Sequence, residues 1–196
     1  MSSKDQPFPN PDALSPEMLD VALELWSQAG EAHYLPVKGG SMHPMLRDGD
    51  LVLVAPSREV KIGDVVVFRH KDELITHRIL WINTNTHGEC TLRTKGDHVL
   101  SLDAPISETE LVGRVVAIRR GSRQLNLGAF GADLINKMMA ILMRVQSGLY
   151  IHPGEEKEGW FSAGAFAVRK FLSIIFLRGG GLLMLASQSV FGRWTG

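Results

Sequence analysis

The first regular pattern along the chain is an amphipathic stretch close to its start. Four apolar residues recur there at helical spacing and share one face, namely Leu19, Ala22, Leu23 and Trp26. Ser15 is a typical N-cap, Pro16 suits the first turn, and Gly30 is a typical C-terminal stop. Because Asp20 and Glu24 interrupt the apolar residues, the pattern predicts a helix that docks on a globular domain and does not cross a membrane.

From residue 35 to residue 121 the chain consists of short β-type runs separated by turn signals. The runs cover residues 51–54, 65–68, 74–82, 91–94 and 111–118. Gly-Asp pairs, such as Gly49-Asp50, punctuate them, and no helical pattern intervenes. The spacing predicts a mainly β fold, a compact and coiled antiparallel β-domain, instead of a parallel α/β sheet.

Beyond Gly121 the apolar spacing becomes helical. One predicted stripe carries Leu134, Met138, Ile141 and Val145. A charged linker at 152–159 separates this helix from residues 160–192, where apolar residues again recur at helical spacing. Arg178 and the glycines at 179–181 weaken a continuous membrane span, so interfacial or protein-docked helices are expected. A C-terminal membrane segment is the weaker alternative.

These patterns divide the chain into three predicted segments. Residues 1–34 form a polar tail and the docking helix, residues 35–121 form the β-domain, and residues 122–196 form a helical, basic and apolar extension. The last segment is the one expected to contact a membrane surface, through residues 160–192, because basic and apolar residues together favour anionic lipid.

Composition and charge exclude several classes of function. The net charge is zero, and the basic residues are not interleaved with aromatic ones, so no nucleic-acid partner is predicted. Cys90 is the only cysteine, which excludes an internal disulfide, and neither Cys90 nor His87 has a second pair with which to hold zinc. No cofactor or metal is predicted. No secretory signal is recognisable near the start, so a cytoplasmic or peripherally membrane-associated protein is expected.

The most informative stretch for chemistry surrounds Ser41, which follows Gly39 and Gly40. Small neighbours leave the hydroxyl open, admit an extended substrate backbone and free the Ser41 N–H for a developing oxyanion. A turn serine in a flexible loop fits the same tripeptide. Ser-Met-x-Pro, followed by Gly-Asp and an apolar strand, resembles the nucleophile box of signal peptidase I and of the related self-cleaving SOS repressors. The resemblance covers residues 40–54 and implies that Ser41 is the nucleophile, with Gly40 in support.

His77 and Arg78 form a polar pair in an otherwise apolar β-type run. Imidazole, whose reference pKa is about 6.5, can accept a proton from a serine hydroxyl near neutral pH. A half-exposed strand histidine without a catalytic role fits the same position. The endoplasmic-reticulum, archaeal and spore-former signal peptidases have His-Arg here, whereas the bacterial leader peptidases and the SOS repressors have lysine. The resemblance therefore points to the histidine branch and implies that His77 is the general base.

The run from Thr94 to Asp97 resembles that branch's Thr-Lys-Gly-Asp box, in which a second acid follows six residues after the first. Asp103 holds this second place. The resemblance implies that Asp103 orients the imidazole, with Asp97 as the second choice, although either acid could instead cap a turn. Lys95 is an alternative base if it is buried. The residues after Asp97 depart from the branch, as does Gly39, where many relatives have a serine that helps to bind the oxyanion.

Three functions are compatible with these residues. Five ordered boxes within residues 39–116 favour a serine endopeptidase that cleaves a peptide or preprotein substrate. A self-cleaving repressor-type regulator is the second hypothesis, since Ala29-Gly30 is the kind of dipeptide that the SOS repressors cut, although no DNA-reading helix-turn-helix precedes it. The third is a module without catalytic activity that binds peptides or docks on a membrane.

Overall fold

The computed structural model describes residues 13–127 and 130–150. Helix α1 (Pro16–Ala29) begins and ends where the sequence predicts. The Ser15 side chain accepts a hydrogen bond from the Met18 N–H at 3.3 Å, and Gly30 closes the helix in the left-handed conformation, with φ at 69°. The predicted apolar face docks on the domain, with Leu19 and Trp26 fully buried in the main hydrophobic core.

Eight strands in the described residues form one antiparallel sheet, which confirms the predicted mainly β fold. They are β1 (His33–Pro36), β2 (Leu51–Ala55), β3 (Val65–His70), β4 (Glu73–Thr84), β5 (Cys90–Lys95), β6 (Ile106–Ser107), β7 (Leu111–Arg120) and β8 (Arg123–Asn126). Their order is β1-β2-β7-β3-β4-β5-β6, and β8 pairs with β7 beside this path. The long strand β7 thus joins the β1-β2 pair to the rest of the sheet.

The five longer strands lie where the β-type runs predict them, but three short strands were not predicted. Strand β1 ends in a proline, β6 has only two residues, and β8 is largely polar. Such segments carry little apolar periodicity, and their pairing with a longer neighbour is a tertiary event. The prediction that the chain turns helical immediately after Gly121 was therefore wrong, because β8 comes before the second helix.

Strand β3 lies inside the sheet and is buried on both faces. Val65 and Val67 join the core cluster that includes α1, whereas Val66 and Phe68 point to a second cluster on the opposite face. Burial on both faces explains why this strand reads as an unbroken apolar run. It also makes β3 a rigid support for β4, its partner, which carries His77.

Helix α2 (Phe130–Tyr150) packs across β4. Its inner face carries Asn136, Ala140 and Met143, and the last two form a third core cluster with Leu80. The predicted stripe of Leu134, Met138, Ile141 and Val145 lies on the opposite face and is exposed. Periodicity thus predicted the helix, but tertiary packing decided which of its faces meets the sheet.

None of the helices within the described residues is long and apolar enough to cross a lipid bilayer. Residues 160–192, for which contact with a membrane surface is predicted, lie outside the described residues, and so does the linker at 152–159.

Candidate active site

Ser41 lies in the loop between β1 and β2, and buried side chains anchor this loop to the core. The side chains of Met42, Met45 and Leu46, which follow the serine, are buried in the main cluster. Before the serine, Gly39 adopts a φ of 76° and donates its N–H to Asp48 Oδ1 at 2.9 Å. A residue with a side chain would be strained at this φ, so the glycine is required by the loop conformation.

The far end of the same loop is held by a charged pair that the sequence did not single out. Asp50 is buried, and its two carboxylate oxygens accept hydrogen bonds from Arg120 Nε and Nη2, both at 2.7 Å. The same Nη2 also donates to the Met45 carbonyl at 3.1 Å. The hydrogen bonds that Arg120 donates to Asp50 raise the pKa of the Arg120 guanidinium. This bidentate contact fixes the loop to β7 and so limits the positions that Ser41 can take.

His77 and Asp103 are in direct contact. His77 Nδ1 lies 2.6 Å from Asp103 Oδ2, and the same oxygen accepts a hydrogen bond from Thr94 Oγ1 at 2.7 Å. The backbone closes this unit, since the Asp103 N–H donates to the Thr94 carbonyl at 3.0 Å. An ionised carboxylate can only accept, so we assign the proton to Nδ1. The other ring nitrogen, Nε2, then carries the lone pair that a general base requires.

The Nε2 side of His77 faces the backbone of the serine. A Cβ atom built on Gly96 would lie 2.7 Å from the Ser41 carbonyl oxygen and 2.9 Å from His77 Nε2. Both groups therefore approach the same small space, which is open only because residue 96 has no side chain. The His98 N–H holds the Ser41 carbonyl with a hydrogen bond of 2.7 Å. The turn after β5 thus contacts the serine loop and the histidine at once.

The two candidate acids have different partners. Whereas Asp103 contacts His77, Asp97 is buried and accepts two hydrogen bonds from Arg78, from Nε at 2.9 Å and from Nη2 at 2.8 Å. Arg78 is itself fully buried. Successive residues of a strand point to opposite faces, so His77 and Arg78 turn away from each other and select different carboxylates. Only Asp103 is placed to orient the imidazole.

Lys95, the alternative base, is fully buried at the end of β5. Burial lowers the pKa of its ammonium group to about 8, although the nearby carboxylates of Asp97 and Asp103 act in the opposite direction. It is not among the described residues that line the cleft at Ser41.

A cleft of about 490 Å³ opens over Ser41 and His77. One wall is β1 and the start of the serine loop, and the other is the β3–β4 hairpin. The residues that line it are Leu35, Pro36, Val37, Lys38, Gly39, Ser41, Met42, Val67, Asp72, Glu73, Leu74, Ile75, Thr76 and His77. β1 is the last strand at its end of the sheet. A groove bordered by an edge strand suits an extended peptide, which can pair with the free backbone of that strand.

The Ser41 N–H is available to a ligand, because no described residue accepts a hydrogen bond from it. The neighbouring Gly39 N–H is already bound to Asp48. The Ser41 N–H is therefore one candidate for binding a developing oxyanion. Nowhere in the described residues do three or more His, Cys, Asp or Glu side chains gather in a way that could hold a metal ion.

Sequence reasoning missed three groups that hold the site in place, namely Thr94, Arg120 and Asn136. Thr94 had a weak signal, since it belongs to the Thr-Lys-Gly-Asp box. The partners of Arg120 and Asn136 are 70 and 58 residues away along the chain, respectively, and no local pattern marks such a contact.

Comparison with protein families finds a match that covers more than half of the chain. Residues 8–116 match the family described as Peptidase S24-like. This range contains α1, most of the sheet and every residue of the candidate site except those of α2 and the end of β7. No curated protein matches the chain.

Proposed function

Because the chain belongs to the Peptidase S24-like family, we propose that it is a serine endopeptidase that cleaves a peptide or protein precursor with Ser41, His77 and Asp103. The observation that carries the proposal is the contact between His77 Nδ1 and Asp103 Oδ2, with the opposite side of the same imidazole turned toward Ser41. We further propose that the chain is of the histidine-using signal peptidase type, since His77-Arg78 stands where other members of that superfamily have lysine.

In the proposed reaction His77 Nε2 removes the proton from Ser41 Oγ as this oxygen attacks the carbonyl carbon of the scissile bond. The resulting imidazolium is stabilised by Asp103 and then protonates the leaving amine, which departs with the C-terminal fragment. Water, deprotonated by the same imidazole, hydrolyses the acyl-enzyme and restores the serine. Thr94 keeps the carboxylate of Asp103 in place through its 2.7 Å hydrogen bond.

Negative charge on the carbonyl oxygen of the intermediate is stabilised by the Ser41 N–H in this proposal. Many relatives add a serine hydroxyl two residues before the nucleophile, but this chain has Gly39 there, whose N–H binds Asp48. The Ser41 N–H therefore acts without the side-chain donor of those relatives. Loss of one oxyanion donor costs about 10²- to 10³-fold in rate in other serine peptidases, so a modest turnover is expected.

The substrate that fits the cleft is an extended peptide segment. Its backbone would pair with the free edge of β1, and its side chains would meet the apolar floor that Val37, Met42 and Val67 provide. We propose that residues 160–192 bring the enzyme to a membrane surface, where an exported precursor would be presented. Cell fractionation of the full chain and of a chain truncated after Tyr150 tests this, and equal membrane association of both would contradict it.

The direct test of the active site is covalent labelling. A fluorophosphonate probe should phosphonylate Ser41 of the full chain with loss of fluoride, as peptide mass spectrometry would identify, and the Ser41→Ala variant should remain unlabelled. Ser57 lies on the loop after β2, away from the cleft, so Ser57→Ala serves as the matched control and should be labelled at the rate of the wild type. A wild-type chain that never reacts would instead favour a module that binds peptides without catalysis.

A cellular comparison then addresses the substrate. Cells that carry the wild type should show new protein N-termini that are missing in cells carrying Ser41→Ala. Identical N-terminal profiles in the two strains would contradict the peptidase proposal.

Self-cleavage is the second candidate function, and Ala29-Gly30 is the candidate bond. Here this bond lies at the end of α1, where Gly30 is the left-handed cap and Trp26 is anchored in the core. A peptidase needs an extended substrate, so self-cleavage within one molecule would require the helix end to unwind first. An intact single band after prolonged alkaline incubation would exclude this second function.

A further inference from the structure

Arg78 is a fully buried guanidinium whose five N–H donors each have a partner. Asp97 takes two of them, the Gly63 carbonyl and Met45 Sδ take one each, at 2.9 and 3.1 Å, and Asn136 Oδ1 takes the last at 2.7 Å. Five is the full donor count of arginine. Four of these contacts come from the β-domain and its loops, whereas the fifth comes from helix α2, beyond the part of the chain that contains the catalytic motifs.

Asn136 is an unexpected residue on this face of α2. Its neighbours on the inner face, Met139, Ala140 and Met143, are apolar, and Asn136 is buried among them. Asparagine is a poor helix former, and an amide costs free energy when it is buried without a partner. Burial of an apolar side chain at this position would cost less free energy. The hydrogen bond to Arg78 is therefore the feature that explains an asparagine at this position.

The position of α2 is set by direct backbone contact. A Cβ atom on Gly63 would lie 2.9 Å from the carbonyl carbon and from the carbonyl oxygen of Asn136, so the helix rests on this glycine. Arg144 Nε donates to the Leu80 carbonyl at 2.5 Å, and Lys61 pairs with Asp133 at 2.6 Å. These contacts hold the Asn136 amide against the guanidinium.

Arg78 in turn holds the turn that contacts the nucleophile. The bidentate pair with Asp97 fixes the turn in which Gly96 separates the Ser41 carbonyl from His77 Nε2 and His98 donates to that carbonyl at 2.7 Å. A guanidinium that loses one acceptor in a dry core must rotate or recruit water to satisfy its free N–H. Either movement is transmitted to Asp97 and hence to the Ser41–His77 geometry.

We propose that Asn136 is a positioning residue of the active site, through which helix α2 sets the placement of Ser41 relative to His77. The proposal rests on the proposed function, because it assigns to α2 a part in the same reaction. The serine peptidase unit of this chain then extends beyond residue 121 and includes α2. Asn136 itself touches no substrate and acts only through Arg78 and Asp97.

Two variants of similar shape separate a hydrogen-bonding role from a packing role. Asn136→Leu removes the acceptor, whereas Asn136→Asp keeps an oxygen in the same place. The full chain carrying each variant is treated with a fluorophosphonate probe, and the maximal rate of phosphonylation of Ser41 is separated from the half-saturating probe concentration. We expect Asn136→Leu to lower the maximal rate about tenfold or more with the half-saturating concentration unchanged, and Asn136→Asp to remain within about twofold of the wild type. Leu134→Ala, at an exposed position of the same helix, is the control and should match the wild type.

A wild-type rate in Asn136→Leu would overturn the proposal. An equal loss of rate in the leucine and aspartate variants would also overturn it, because the rate would then depend on the shape of the side chain and not on the hydrogen bond. If the leucine variant does not fold, Asn136→Ala replaces it, since it leaves room for water beside Arg78. An intermediate loss of a few fold is then expected, and no loss would count against the proposal.

If the wild type does not react with the probe, that result refutes the proposed function but not the positioning role of Asn136. Hydrogen exchange tests the positioning role in either case. The amide of His98 should exchange several-fold faster in Asn136→Leu than in the wild type, because its hydrogen bond to Ser41 loosens. Amides of residues 114–119 in β7 provide the internal reference. Unchanged exchange at His98 would overturn the positioning role.

Discussion

Replacement of Gly96 by alanine should abolish most of the catalytic activity while the fold survives. The added methyl group would lie 2.7 Å from the Ser41 carbonyl oxygen, 2.9 Å from His77 Nε2 and 3.0 Å from Val99 Cγ2. Ordinary contacts of a Cβ atom begin near 3.4 Å, so the first two groups must each retreat by about half an ångström or more. They belong to the two residues between which the proposed proton transfer takes place.

The magnitude follows from the geometry. A displacement approaching 1 Å between reacting groups can cost about 10²-fold in rate, so we expect acylation of Ser41 to slow by about 10²-fold. Overpacking of this kind also costs about 1–3 kcal/mol of stability. A domain of this size tolerates such a loss, because typical stabilities are about 5–15 kcal/mol. Activity should therefore fall well before the folded population does.

The assay is the rate at which a fluorophosphonate probe phosphonylates Ser41, which stands in for acylation by a substrate, measured together with urea unfolding of the same samples. Gly88→Ala is the matched control, because Gly88 lies in the β4–β5 turn and a Cβ atom there would have no heavy atom within 4 Å. Its φ of 82° predicts a small loss of stability and no change in acylation. A Gly96→Ala chain that reacts at the wild-type rate would refute the placement of Ser41 and His77 around this glycine.

Three further outcomes are expected. Asp103→Asn should slow acylation by about 10²- to 10⁴-fold, because an amide can donate to His77 Nδ1 and favours the wrong tautomer; labelling close to the wild-type rate would exclude Asp103 as the orienting acid. Asp97→Ala should lower the free energy of unfolding in urea by about 3–5 kcal/mol, because it leaves the buried charge of Arg78 unpaired, and a loss below about 1 kcal/mol would contradict this. Burial lowers the pKa of Lys95 from 10.5 to about 8, so the unfolded chain binds more protons than the folded one between these values, and the contribution of Lys95 to stability rises with pH across that window. Lys95→Met should lose this rise in unfolding experiments between pH 7 and pH 10, and an identical pH slope in both proteins would refute it.

The residues that local signals could identify are those whose role depends on their immediate neighbours. Ser15, Pro16 and Gly30 mark the ends of α1 because caps act within one turn of a helix. The five longer strands were predictable because one or both of their faces are buried and their apolar residues follow the pleat. Ser41 and His77 stood out through the order of their motifs and not through any property of either residue alone.

The partners of these residues depended on strand register and packing, which no single segment encodes. Asp97 and Asp103 both follow β5 and are the same type of residue. The alternation of β4 sends His77 to the cleft, where it meets Asp103, and sends Arg78 into the core, where it meets Asp97. Spacing could rank the two acids, but only the pairing of β4 with β5 assigns each to its partner.

By itself the sequence determined the class of fold, the bounds of α1, the places of the longer strands, and the serine and histidine around which a peptidase site would be built. Tertiary structure alone decided which acid contacts the histidine, why residue 96 must lack a side chain, and which face of α2 meets the sheet. The physical reason is that hydrophobic periodicity and caps act over a few residues, whereas the hydrogen bonds of buried charges join groups as far apart as Arg78 and Asn136, separated by 58 residues.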